Sequence, residues 1–146
     1  MEKINYIKAV IITVFGGIGS FFVKMIGGWT PDLTTLLILM GLDFGMGLLI
    51  AAIWKKSGKS KTGALNSVSS WKGLCRKGIT LTIVLIAYRL DLTLKVDYIR
   101  TAVILAFLVN ELISIVENAG IMGIPLPRVL IKAIDVLKEK SSTEGE

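Results

Sequence analysis

Long apolar blocks, held apart by one basic break, constrain this chain more than any other feature. Ala9 to Val23 is 15 residues without a charge, closed by Lys8 and Lys24. Leu33 to Trp54 is 22 residues interrupted only by Asp43. At about 1.5 Å per residue a helix of that length reaches roughly 33 Å, a full hydrocarbon core. Gly78 to Tyr88 is uncharged, with apolar character persisting to Leu94 around Arg89 and Asp91. Thr101 to Val116 is apolar again, broken by Asn110 and Glu111. Composition agrees: the chain is 53% hydrophobic and 19% charged, with a mean hydropathy of +0.70. Soluble domains run at about 45–50% apolar and about 25% charged.

These blocks predict an all-α, small integral membrane protein with four transmembrane helices, at about 7–27, 33–54, 76–94 and 98–118. Lys8 and Lys24 can snorkel to opposite headgroup layers, and Trp29 and Trp54 bracket the second span as interfacial tryptophans do. Pro31 sits where a proline is tolerated at a helix start. A secretory signal peptide with Lys3 and Lys8 as its basic region is the competing reading of the first block, although no A-x-A site follows. The third and fourth blocks read as a helical hairpin turning near Thr93–Asp97. Only 11 uncharged residues separate Lys77 from Arg89, so a hairpin that enters shallowly is the alternative to two crossings. Ser69 or Ser70 is the expected N-cap of the third helix, and Asn118-Ala119-Gly120 the stop of the fourth. Residues 1–128 then form the transmembrane domain. In 129–146, Leu130, Ile134 and Leu137 share a face of a short amphipathic helix, with Lys132, Asp135 and Glu139 elsewhere and a polar tail beyond.

Charge sets the orientation. The net charge is +6, and residues 55–77 hold Lys55, Lys56, Lys59, Lys61, Lys72, Arg76 and Lys77 with no acidic residue. With both termini and this loop cytoplasmic, 13 of the 17 basic residues lie inside. The positive-inside rule disfavours the reverse. The loop lacks aromatic interleaving apart from Trp71, so orientation and anionic lipid explain it better than nucleic acid.

Polar residues within the blocks carry the functional argument. Asp43, Asn110, Glu111 and Glu117 are the candidate membrane-embedded polar groups. A central carboxylate costs about 2.5–3.5 kcal/mol on insertion scales, so it is either paired or set on a pathway. For Asp43 the candidate partners are Arg89 and Lys77. Arg89 and Asp91 read as an interfacial pair. Gly16, Gly19, Gly41, Gly45 and Gly47 supply small faces for helix packing. The chain has no histidine and one cysteine, Cys75, and it carries no phosphate loop, nucleophile elbow or metal-ligand cluster. Neither a catalytic role, a metal nor a cofactor is expected.

From Leu39 to Leu137 the order of features resembles the phage holin family that takes in the phi29-type and clostridial toxin-secretion holins. The matching residues are Leu42-Asp43 followed by Gly47, then Ser69-Ser70, Gly73, Arg76-Lys77 and Asp91. The most specific part is Asn110-Glu111-Leu112-Ile113-Ser114-Ile115-Val116-Glu117-Asn118, leading into Gly120 and Gly123-Ile124-Pro125-Leu126-Pro127. The first 38 residues match less specifically. Members are often described with two or three spans, so four is a departure. The resemblance implies a protein of the bacterial cytoplasmic membrane that assembles with itself into lesions. A cell-wall hydrolase or a large toxin would pass through them. The other readings are an antiholin-like regulator or scaffold, and a small ion channel. The expected partners are further copies of the chain, membrane lipid, and an endolysin or toxin cargo.

Overall fold

A computed structural model describes residues 2–55 and 66–143, without the side chains of residues 137, 138 and 140–143. Lys56, Lys59 and Lys61 of the basic loop lie outside the described residues, as do 144–146 of the tail and the side chain of Leu137 of the last apolar face. The described chain is helical, without strands: α1 (Glu2–Met25), α2 (Pro31–Leu49), α3 (Ser67–Leu94), α4 (Ile99–Ile121) and α5 (Arg128–Thr143). A π-helical turn, Ile50–Trp54, continues α2 and ends at Lys55 in the left-handed region.

Local chemistry explains the ends. Helix α1 closes on Gly27 and Gly28, with φ of +98° and +84°, through Gly28 N–H to the Val23 carbonyl (2.8 Å) and Gly27 N–H to that of Lys24 (3.2 Å). That is a Schellman closure, which needs a residue free to take positive φ. Gly27 is also sterically required, since a Cβ there would sit 2.8 Å from the Tyr88 ring. Helix α4 closes in the same way on Gly123 (φ +75°), with Ile124 N–H bonded to the Ala119 carbonyl at 3.0 Å. The stop therefore falls at Gly123 instead of Asn118-Ala119-Gly120, because Gly120 is still helical.

Helix α3 starts earlier than expected. Its N-cap is Asn66, whose side chain accepts from Val68 N–H at 2.9 Å, instead of Ser69 or Ser70. Lys72, Arg76 and Lys77, counted with the basic loop by charge, lie on this helix. The turn between Leu94 and Ile99 lies where the hairpin was expected.

Helices α2, α3 and α4 form the body. Arg100, at the start of α4, bonds Gly28 and Thr30 just before α2, while Ser114 and Asn118 far along α4 bond Asp43. Thus α2 and α4 run parallel, and α3 runs back between their opposite ends. Their seam is small: Leu33, Leu36 and Met40 from α2, Val84 from α3, Ile104 from α4, and Ile26 from the α1–α2 link. Helix α5 packs against α4 and buries Ile134, while Val129, Leu130, Ile131 and Val136 stay exposed. Helix α1 buries none of its residues.

Among the described residues three helices qualify to cross a membrane by length and apolarity, Glu2–Met25, Pro31–Trp54 and Ile99–Ile121, where four were expected. Helix α3 has the length, at 28 residues, but carries Lys72, Arg76, Lys77, Arg89 and Asp91.

The expected pair of Arg89 with Asp91 does not form. Residues two apart on a helix do not face each other. Arg89 is exposed, whereas Asp91 is buried and accepts from the backbone N–H groups of Ile99 and Arg100, both at 2.9 Å. Asp91 thus caps the following helix, whose own N-cap residue, Tyr98, makes no side-chain bond. Loss of such a cap costs about 1–2 kcal/mol. Asp91→Ala should lower the melting temperature of the purified protein in detergent, followed by far-ultraviolet circular dichroism, and Asp91→Asn should retain part of the loss. An unchanged melt for Asp91→Ala would mean that the cap does not hold the hairpin.

Candidate functional site

The inner face of α2 reads Leu33, Leu36, Met40, Asp43, at helical spacing, so the carboxylate falls on the same stripe as the core leucines. The inner stripe of α4 reads Arg100, Ile104, Glu111, Asn118. On α3, Lys77 stands seven residues before buried Val84, which stands seven before buried Asp91. Packing the three stripes together brings their polar members to one place.

There the Lys77 ammonium donates to Asp43 Oδ2 at 2.9 Å and to Glu111 Oε2 at 2.7 Å. The other Asp43 oxygen, Oδ1, accepts from Ser114 Oγ at 2.5 Å and from Asn118 Nδ2 at 3.1 Å. Asp43 and Glu111 are buried, and only 14% of the Lys77 side chain is exposed. One cation thus joins carboxylates from two other helices, and Ser114 and Asn118 also donate to Asp43. Two carboxylates this close to one ammonium need it: removing one partner of a buried ion pair typically costs about 3–5 kcal/mol, because the remaining charge is stranded.

A cleft of about 610 Å³ opens beside the network, lined among others by Phe44, Lys72, Arg76, Ile83 and Phe107. The network forms its floor, and Asn110 stands at its edge, exposed. The site can hold charge inside an apolar bundle and expose it if the helices part.

Of the expected polar set, Asp43 and Glu111 come together. Asn110 lines the cleft without joining the network's bonds, and Glu117 is exposed. Lys77, expected in the basic loop but also offered as a partner for Asp43, is the bridge; Arg89 is not. Ser114 and Asn118 from the Asn-Glu-to-Asn string also donate to Asp43. Gly123 ends α4, and Pro125 and Pro127 lie in the link to α5. A Cβ added at Gly16, Gly19, Gly41 or Gly45 would meet nothing within 4 Å, so these glycines pack against no helix of their own chain. Gly47 is half-buried.

Arg100 was missed by sequence reasoning. It is 8% exposed, donates from Nη2 to the Gly28 carbonyl (3.2 Å) and Thr30 Oγ1 (3.0 Å), and leaves Nε without a partner. Its place four residues before Ile104 on the inner stripe was the signal.

Lys77→Met should lower the melting temperature sharply, by the equivalent of about 3–5 kcal/mol. Adding Glu111→Gln to it should recover part of the loss, because the apposed carboxylates are then reduced to one. Additive effects of the two substitutions would mean that Lys77 and Glu111 act independently.

Comparison with known proteins agrees with this picture. The profile of the bacteriophage holin family matches residues 20–139. An uncharacterized protein of Halalkalibacterium halodurans is 39% identical over 122 residues, covering 80% of this chain and 84% of that protein. An uncharacterized 14.9 kDa protein from the nagH 3′ region of Clostridium perfringens is 35% identical over 143 residues, 96% of this chain and 99% of its own length. A probable holin of Bacillus phage phi105 is 27% identical over 120 residues, covering 82% and 83%. No solved structure matches the chain. With the family profile matched across most of its length, the whole α2–α4 body included, the chain belongs to the bacteriophage holin family.

Proposed function

We propose that this chain acts as a holin by assembling with copies of itself in the bacterial cytoplasmic membrane into lesions that pass a cell-wall hydrolase or a large protein. The observation that carries this reading is the Asp43–Lys77–Glu111 network, charge held inside a helical bundle that exposes many large apolar side chains. Buried in one copy, these groups gain hydration when helices part and the face turns to water. The exposed glycines of α1 and α2 leave surfaces on which helices of other copies can approach closely.

The parallel course of α2 and α4 supports a four-crossing arrangement. If both cross, the chain must return between them, and α3 runs antiparallel beside them over 28 residues. Two of its charges, Lys77 and Asp91, are bonded inside the bundle, which lowers what α3 would expose to lipid. The N-terminus, the basic segment at Lys55 and the C-terminal helix would then share the cytoplasmic side, with α5 lying at the interface through its apolar residues.

Orientation is tested by thiol labelling in a Cys75→Ser background. A cysteine at Trp29 should react with an impermeant reagent in intact cells, and one at Lys55 should stay protected. The opposite pattern would reverse the topology.

Function is tested by induction in bacteria. The chain alone should depolarise the membrane after a delay, and co-expression of an endolysin lacking a signal sequence should turn growth arrest into lysis. At matched membrane levels Asp43→Asn should shift the lysis time, and Asp43→Leu should shift it further, since it removes every bond to Lys77, Ser114 and Asn118. A normal potential at high expression would overturn the holin reading and favour a regulator without pores. Wild-type timing for both variants would remove Asp43 from the mechanism.

A further inference from the structure

The cleft beside the ion network has a basic rim that the network does not use. Lys72 and Arg76 stand one turn apart on α3, both exposed, and neither joins an ion pair among the described residues. Further along the same wall the lining turns apolar, with Ile79 and Ile83 of α3 and Phe107 of α4. From Lys72 to Ile83 the helix rises roughly 16 Å. That is about half of a ~30 Å hydrocarbon core, the depth of one leaflet.

We propose that this cleft binds an anionic phospholipid, with its phosphate between Lys72 and Arg76 and one acyl chain along Ile79, Ile83 and Phe107. The inference rests on the membrane-embedded reading given above. A soluble anion accounts for the rim alone and leaves the apolar wall without a partner. A neutral lipid accounts for the wall and leaves two cations unmatched. The carboxylates of Asp43 and Glu111 at the floor repel a phosphate, which keeps the headgroup at the rim and leaves Lys77 to its own partners. A bound lipid covers the open side of the network, so lipid charge and assembly become linked through this cleft.

The experiment is native mass spectrometry of the full-length protein released from detergent, titrated with phosphatidylglycerol or with phosphatidylcholine. Phosphatidylglycerol should be retained selectively. Lys72→Gln with Arg76→Gln should weaken that retention on the order of 30-fold, two basic groups' worth of headgroup attraction. Lys132→Gln on α5 should leave it unchanged, and glycerol 3-phosphate should not displace the lipid. Ile83→Ser alters no charge and should weaken retention as well, so the proposal stays testable if the double variant misfolds. Retention unchanged in a folded double variant or in Ile83→Ser would overturn it. So would equal retention of phosphatidylcholine, or displacement by glycerol 3-phosphate, which would mark a site for soluble anions. Dye release from vesicles by the same samples reads the pore separately: lipid selectivity without release counts against the pore alone, and release without selectivity counts against the lipid site alone.

Discussion

The body of this protein depends on one ammonium group. Between helices in lipid, apolar contacts add packing but little net drive, because acyl chains are as apolar as leucine. A charge that would otherwise face hydrocarbon is a stronger determinant. Lys77 lies 34 residues from Asp43 and 34 from Glu111, and it draws α2 and α4 to α3 at one height. Once that height is set, Leu36, Met40, Val84 and Ile104 fill the seam without further choice of register.

A second polar anchor closes the other end of the seam. Asp91 holds the first N–H groups of α4, and Arg100, fixed by that cap, reaches back to Gly28 and Thr30. The hairpin and the entry to α2 are thereby tied together. Helix α1 lies on the far side of the Gly27–Gly28 link and buries nothing, so it is an arm joined to a body. For a protein read as a self-assembling holin this division is useful: the body stores charge, and the arm offers apolar surface.

The string from Asn110 to Asn118 falls where these constraints meet. Ser114 and Asn118, in the string that follows Asn110-Glu111, donate to Asp43, which comes from a helix more than 70 positions away. A pattern that carries the family resemblance in one dimension is, in three, part of one internal ion-pair network. The exposed cations Lys72 and Arg76 and the buried carboxylates Asp43 and Glu111 line a single cleft.

The apolar blocks, the turn after Leu94 and the presence of Asp43 and Glu111 within those blocks were all legible in the sequence, because length and hydropathy are properties of contiguous residues. Asp91 was misread as half of a surface pair, since nothing local says that a carboxylate will be spent on backbone groups of the next helix. The start of α3 was placed at Ser69 or Ser70 instead of Asn66, since several capping residues stand in a row and the sequence does not mark which of them bonds the first turn. Lys77 could be named as a candidate partner for Asp43, but so could Arg89; the seven-residue steps from Lys77 to Val84 to Asp91 hold the answer only once it is known that Val84 faces the core. The sequence by itself determined which segments are apolar helices and which charges they must carry. Only the tertiary structure decided which charges meet, because that depends on which face of each helix turns inward, and three helices must pack before any of them has an inside.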